Sequence, residues 1–594
     1  ERQESALACL QRGRDLSIEA LRTHTPARLA DALDLLRRAV ELDPDLLEAH
    51  FVLAGVLLEV WQRAPEPEDL PEAERHLRHI LERAPEALEA WERLGSVFFE
   101  QGRSQGNGQK LAEAEALCRE VFSRRPDHAP SSYALAAILH EQGRFDEALE
   151  LLERALHLDP GLVAARNGLA GLLLLLGDYR RGWPEYEWRW HSTTLAPRSF
   201  AQPRWDGSDP TGKTLLVWAE QGHGDAIQFV RFLPQIKALG ATVVLQCRES
   251  ERRLFATAPG VDRLVVEDEP LPFHDLQVPL MSLAVLVGLT LETIPEAPYL
   301  TAPVDTYLGA ALGRTLLDAP GLKVGLVWTP KLQWAIDRRR HCPLALLAPL
   351  FDLSGVSWFS LTKGEPVHEL APYTNRVVDL GSHFVDFADT AWAIDKLDLV
   401  ISVDTAVAHL AGALGKPVWI LLPYVPDWRW LTGREDSPWY PRARLFRQPM
   451  TGDWQDVAAA VVRALESLVP ATDPGVTVAR WMQEAERLVE AGQYAEAQHL
   501  YTRVIEAEPD QTLALEHLSA LLIDEAEAQA AVPCLQRAAS LRPESCAAHF
   551  ALGNALVMLG RWQEAEAHLR RAITLEPALV GAHCRLGTAL FELG

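Results

Sequence analysis

Prolines divide much of this chain with a fixed ruler. Pro126 and Pro160, and again Pro509, Pro543 and Pro577, follow one another at steps of 34 residues. Pro44, Pro85 and Pro126 step by 41, because two units there carry extra Pro- or Gly-rich segments near Ala64-Pro65-Glu66-Pro67 and Gly106-Asn107-Gly108. Alanines keep the same phase: Ala32, Ala73, Ala114 and Ala148, then Ala497, Ala531 and Ala565, each twelve positions before its proline. Five positions before the prolines stand Ala39, Ala155, Ala538 and Ala572, with Ile80, Val121 and Val504 as larger variants. Small side chains let two antiparallel helices approach closely, and a proline ends the second because it has no N–H to give.

A helical hairpin repeated every 34 residues is the tetratricopeptide (TPR) pattern. One such hairpin cannot bury its apolar face, so neighbours must stack into a solenoid with a concave surface. About five units are expected over residues 1–190 and three and a half over 476–594, the last stopping at Gly594 after its first helix, as in a piece of a longer chain. Such arrays serve either as scaffolding or as a concave face that holds a protein partner.

Composition narrows the partners. A net charge of -25 argues against nucleic acid or an anionic membrane as the main ligand. Seven scattered cysteines with no CxxC spacing argue against a disulfide framework or structural zinc and point to the cytoplasm. The apolar run around Leu172–Leu176 is too short to span a bilayer.

Between the arrays the ruler disappears. After a linker over residues 191–212, continuous apolar runs alternate with helical patterns, the mark of buried parallel strands. Strands are expected at Thr214 to Trp218, Ala241 to Gln246 and Val261 to Val266. A second cycle is expected at Lys323 to Trp328, Val356 to Leu361, Leu399 to Ser402 and Val418 to Leu421. The fold class is thus α+α/β and multidomain: a TPR solenoid, two Rossmann-like halves over 213–305 and 306–470, and a second TPR solenoid. Ligands of such halves sit beyond the carboxyl ends of the strands.

Two strand ends carry chemistry. The first is Glu220-Gln221-Gly222-His223-Gly224-Asp225, which lacks the third glycine of a dinucleotide fingerprint and so makes an oxidoreductase a distant reading. Asp225 is either a helix cap or a carboxylate able to take a proton from an acceptor hydroxyl. The second is Ser402-Val403-Asp404-Thr405-Ala406 leading to His409, where a helix start offers N–H groups and a dipole to a diphosphate. His409 falls one turn after Thr405, on the same face. The alternative is a capped helix with a core histidine.

The segment SVDTAVAHLAGALGKPVW (402–419) resembles the donor site of GT-B glycosyltransferases of the ADP-heptose heptosyltransferase-like type, and GHGDAIQFVRFLP (222–234) resembles their N-terminal segment. Residues 386–390, Pro426-Asp427-Trp428-Arg429-Trp430, 437–441 and Tyr186-Glu187-Trp188-Arg189-Trp190 are similar to a TPR-linked bacterial branch that includes flagellin glycosyltransferases. The resemblance covers roughly residues 180–455. It implies an inverting transferase that takes a nucleotide-activated sugar as substrate, needs no cofactor or metal, and modifies a Ser or Thr of a protein held by the repeats. Carried over, Asp225 is the general base, beside Gly222 and Gly224; His223 stands where the family pattern has an apolar residue and either assists proton transfer or fills space. Asp404, Thr405, Ala406 and His409 bind the donor, Lys363 and Arg338 of the 338–340 run face its phosphates, and Asp386, Asp389 and Thr390 surround its nucleoside. One segment departs: Thr329-Pro330-Lys331-Leu332-Gln333-Trp334 stands where related proteins carry Gly-Asn and small polar residues. Two alternatives follow, a lipopolysaccharide-type glycan acceptor and a GT-B scaffold kept for binding only.

Overall fold

The computed structural model describes residues 2–23, 26–63, 65–192, 198–331, 335–353, 355–468, 474–490, 494–521 and 525–594. The chain forms two compact units, one of residues 1–312 with 323–466, the other of 313–322 with 467–594.

The first unit opens with five helical hairpins: Arg2–Thr23 with Pro26–Leu42, Leu47–Arg63 with Asp69–Arg83, Leu88–Gln105 with Gly108–Arg124, Ala129–Glu141 with Phe145–Leu158, and Val163–Leu175 with Tyr179–Tyr186. The in-phase alanines Ala32, Ala73, Ala114 and Ala148 are wholly buried where the helices touch. Three of the four repeat prolines here also have a partner six residues on. The carbonyl of Pro44 accepts from His50 Nε2 (3.0 Å), that of Pro85 from Trp91 Nε1 (2.8 Å) and that of Pro160 from Arg166 Nε (3.1 Å). These bonds close the turn between repeats at a carbonyl the helices leave over.

The solenoid meets the α/β region along the turns inside its hairpins. The Pro65 carbonyl accepts from Arg338, Gly143 lies under Tyr424, and Gly177 lies against Leu291. Gly106 and Gly452 both have left-handed backbones (φ 64° and 86°) and touch so closely that a Cβ on Gly106 would sit 2.5 Å from the other's Cα. Only glycine fits both demands.

Two sheets follow. β1 (Thr214–Trp218), β2 (Thr242–Cys247), β3 (Arg263–Val266) and β4 (Leu276–Pro279) form a parallel sheet in the order β3-β2-β1-β4. β5 (Leu322–Val327), β6 (Val356–Ser360), β7 (Val377–Asp379), β8 (Leu399–Val403), β9 (Val418–Leu422) and β10 (Ala443–Arg447) form the second, in the order β10-β9-β8-β5-β6-β7. Three strands, β4, β7 and β10, were not among the expected ones. β4 carries Gln277 and ends on a proline, β7 is three residues long, and β10 has arginines at both ends of its apolar residues. None has the continuous apolar run that marks a buried parallel strand.

The two sheets are joined by a buried arginine. Arg231, 2% exposed, donates to the carbonyls of Trp439 (3.0 Å) and Pro295 (3.2 Å) and to Tyr299 Oη (2.9 Å).

The second unit contains seven helices among its described residues from Pro474–Glu490 to Val580–Leu593. Ala497, Ala531, Ala538, Ala565 and Ala572 are buried at its helix contacts, and the carbonyl of Pro543 again meets a residue six on, His549 Nε2 at 3.2 Å. Asp318 of the connecting segment is held by His499 and Arg503. Among the described residues no helix is long and apolar enough to cross a membrane.

Candidate active site

The carboxyl ends of β1, β5, β6 and β8, with the segments after β7 and β9, open onto one cavity of about 1470 Å³. It collects Gly222, His223, Gly224 and Asp225 from the first sheet and Lys363, Asp386, Thr390, Asp404, Thr405, Ala406 and His409 from the second. Eleven of the thirteen candidate residues therefore share one wall or another of the same space. Arg338 and Asp389 do not.

The helix Ala406–Ala413 starts at this cavity, with Thr405 as its extended N-cap (φ -146°). The first N–H groups of a helix have no partner within it, so the amides of this first turn point where an anion can reach them. Arg340 crosses beside them, donating to the Asp404 carbonyl at 3.0 Å and to the Asp337 carboxylate. Burial raises the Asp404 carboxyl against the pull of Arg340. His409 is wholly enclosed: burial, then the nearby Arg429, Arg231 and Arg340, hold its basicity far below the ordinary imidazole value. Its ring stacks on Trp430 (5.3 Å) and pairs through Nδ1 with Tyr440 Oη at 2.9 Å. A neutral imidazole in this place is a hydrogen-bonding group, not a charge.

The adjoining wall is the turn after β1, where Gly224 packs on His409, and both of its ends are gripped by arginines from elsewhere. Glu220 is paired with Arg189 Nη2 at 3.0 Å and also accepts from the Met281 amide at 3.2 Å. Asp225 takes the Gly222 amide on Oδ2 (2.7 Å) and Arg429 on Oδ1. The two arginines occupy equivalent local motifs. Glu187-Trp188-Arg189-Trp190 and Asp427-Trp428-Arg429-Trp430 each form a 3-10 turn in which the arginine returns to the carboxylate two residues before it, at 2.5 and 2.7 Å. Burial opposes the charge of Arg429, but Asp427 and Asp225 outweigh it and raise its basicity further. Burial likewise pushes the Glu220 carboxyl up to about 7, even with Arg189 beside it.

The solenoid contributes a wall of its own. Tyr186, from its last helix, lines the cavity and exchanges hydrogen bonds with Gln221 (3.0 and 3.2 Å). Behind it Trp183 packs edge-on against Trp428 (5.1 Å) and Phe229 (5.8 Å), while Trp439 Nε1 donates to Tyr179 Oη at 3.0 Å.

Two expected positions, Arg338 and Asp389, lie away from the cavity. Arg338 leaves the cavity for the solenoid, donating to the Pro65 carbonyl at 3.3 Å and lying over the Trp61 ring. In the 3-10 turn Ala335–Arg340 successive side chains diverge by about a third of a turn, so Arg338 and Arg339 meet the repeats and Arg340 faces inward. Asp389 is a fully buried staple. It accepts from the amides of Tyr307 (2.7 Å) and Val385 (2.9 Å) and from Thr306 Oγ1 (2.9 Å), tying the connector between the sheets to the helix Phe387–Lys396. Burial opposes its charge, but those donors prevail and lower its carboxyl. Asp386 lines the cavity as the cap of that helix and is paired with Arg253 at 3.0 Å. Lys363 reaches the Phe384 carbonyl. Of the departing segment, Thr329, Pro330 and Lys331 line the cavity, whereas 332–334 lie outside the described residues.

Of the 338–340 run it is Arg340 that lines the cavity, and residues to which the sequence assigned no role include Glu251, Tyr186 and Arg429. The repeated acidic-Trp-Arg-Trp pattern was the visible signal for the last.

Tetratricopeptide-repeat family models match residues 86–161, 482–525 and 546–579. Protein FlbA of Caulobacter vibrioides is 28% identical over 332 residues, covering 50% of this chain and 54% of FlbA. The chain thus spans about half the length of that relative. Among solved structures, the glycosyl transferase family 9 protein of Veillonella parvula aligns over 44% of this chain and 98% of its own, with 12% identity and a TM-score of 0.34. A TPR protein of Thermus thermophilus aligns over 31% of this chain and 91% of its own, with 21% identity and a TM-score of 0.26.

Proposed function

We propose that this chain is an inverting GT-B glycosyltransferase that moves a sugar from a nucleotide-activated donor to a Ser or Thr hydroxyl of a protein. One observation carries the reading: the helix start at 404–409 and the turn 221–225 line a single cavity at the strand ends of two sheets, and they meet where Gly224 packs on Ala406 and His409. The cavity's width suits a nucleotide-sugar with an acceptor group beside it. In this reading the diphosphate rests on the amides of Ala406 and Val407, with Arg340 and Lys363 alongside. Fixed dipoles and cations there stabilise the charge that grows on the leaving group. The protein cations take the part that a divalent metal plays elsewhere, so turnover persists in excess chelator. The turn 222–225 receives the acceptor hydroxyl.

The test is a panel of UDP-, GDP-, ADP- and CMP-sugars, read by calorimetry and by release of free nucleotide. Binding by one member, weakened at least tenfold by Asp404→Ala, supports the reading. A panel in which nothing binds or turns over sinks it in favour of a binding scaffold.

The protein acceptor rests on the repeats. Removing them does not separate a protein acceptor from a glycan, because Tyr186 belongs to the cavity itself. Charge placed on the half-buried Ala137 and Asn167 of the first helices (Ala137→Glu, Asn167→Glu) does: protein modification falls while donor hydrolysis is kept. Equal rates for both reactions in the variant would favour a glycan acceptor.

A further inference from the structure

We propose that His223, oriented by the buried carboxylate of Glu251, takes the proton from the attacking hydroxyl, and that Asp225 is a positioning residue. This inference rests on the transferase reading above.

The two residues differ in what remains free. Both oxygens of Asp225 are engaged, Oδ2 by the Gly222 amide and Oδ1 by Arg429. That guanidinium is itself fixed by Asp427 (2.7 Å) and Gln228 Oε1 (2.6 Å). A hydroxyl approaching Asp225 meets a carboxylate whose two oxygens each already accept one hydrogen bond, one of them from a guanidinium. His223 is arranged the other way. Its Nδ1 lies 2.6 Å from Glu251 Oε1, and Glu251 is wholly buried. Glu251 is held in turn by the Arg248 amide (3.1 Å) and the Arg248 guanidinium (3.2 Å). An ionised carboxylate only accepts, so Nδ1 carries the ring proton and Nε2 of the neutral ring keeps its lone pair. The ring lines the cavity, 38% exposed, with the Phe387 ring against it at 4.8 Å. Base, orienting carboxylate and open face are the three parts that activate a hydroxyl nucleophile.

The balance of the step is simple. The acceptor oxygen forms a bond to the anomeric carbon as the bond from that carbon to the diphosphate oxygen breaks, and its electron pair leaves with the nucleotide. The hydroxyl proton passes to Nε2, the imidazolium is stabilised by Glu251, and the proton is then lost to solvent. Glu251 touches no substrate and acts through the ring.

Two measurements test this on the full chain. The first is kcat against pH, with hydrolysis of the donor found in the panel as the readout. His223→Gln is expected to lower kcat about 100-fold and to remove the limb that rises with pH, with donor affinity within threefold. Glu251→Gln is expected to lower kcat about tenfold and displace that limb, and Asp225→Asn to weaken turnover while retaining it. The second is 15N NMR of the labelled histidines, where His223 is expected as the Nδ1-protonated tautomer, a preference lost in Glu251→Gln. Wild-type kcat and pH limb in His223→Gln, a limb that vanishes only in Asp225→Asn, or an Nε2-protonated tautomer overturns the assignment and leaves the transferase standing. A wild-type chain that turns over no donor removes the transferase and the base together.

Discussion

The two walls of the cavity are built in opposite ways. The wall at 402–409 is made by one contiguous stretch, a strand, a cap and a helix, whose own amides face the ligand space. The wall at 220–225 is short and charged, and it is shaped by side chains brought from far away. Arg189 lies 31 residues before its partner Glu220, and Arg429 lies 204 after Asp225. The first wall is shaped mainly by its own backbone. The second is a precise arrangement of charges that fails when any of its anchors is lost.

Breaking the second wall is expected to cost most. Arg429→Met leaves Asp225 and Asp427 without their shared cation and should lower stability by about 3 kcal/mol, with turnover nearly abolished, as read by urea unfolding and nucleotide release. Glu220 gives a pH signature. Its folded carboxyl titrates near 7 against an ordinary 4.5, so the folded state holds the proton more tightly than the unfolded chain. That contribution is complete below about 4.5 and is lost as the pH rises through 7. Between those values wild type should lose up to about 3 kcal/mol relative to Glu220→Gln, measured as unfolding midpoints across the range. The first wall should respond differently. Asp404→Ala is expected to weaken nucleotide-sugar binding at least tenfold with a smaller change in unfolding than Arg429→Met. The smallest effect belongs to Lys363→Ala, a few-fold in donor affinity and under 1 kcal/mol in stability. Equal destabilisation by Asp404→Ala and Arg429→Met would erase the distinction between the walls.

The same difference decides what could be read from the sequence. The helix at 406–413 and its cap are local, so a strand ending at a small polar residue before an apolar helix was enough to locate them. The repeats were legible because proline and alanine recur in phase, and every in-phase alanine of the first array is buried. No periodicity records that Arg189 and Arg429 converge on one turn, or that Glu251 lies behind His223. The run Arg338-Arg339-Arg340 was visible as charge, but which member faces the cavity depends on the turn it adopts. Asp389 read as a ligand because its neighbours did. One of its two amide partners comes from the connector at Tyr307, 82 residues earlier.

Helical repeats are usually treated as interchangeable beads that can be added, deleted or exchanged. Here that freedom ends at the last bead of the first string. Asp178 caps the helix that carries Tyr179, Trp183 and Tyr186; Tyr186 is at once the end of the solenoid and part of the cavity wall, with Trp183 packed behind it. Earlier hairpins touch the α/β region near their inner ends, Trp61 and Pro65 at Arg338, Gly106 at Gly452 and Glu141 at Arg339. The fifth belongs to the cavity, so any grafting of new repeats onto this scaffold has to splice ahead of it.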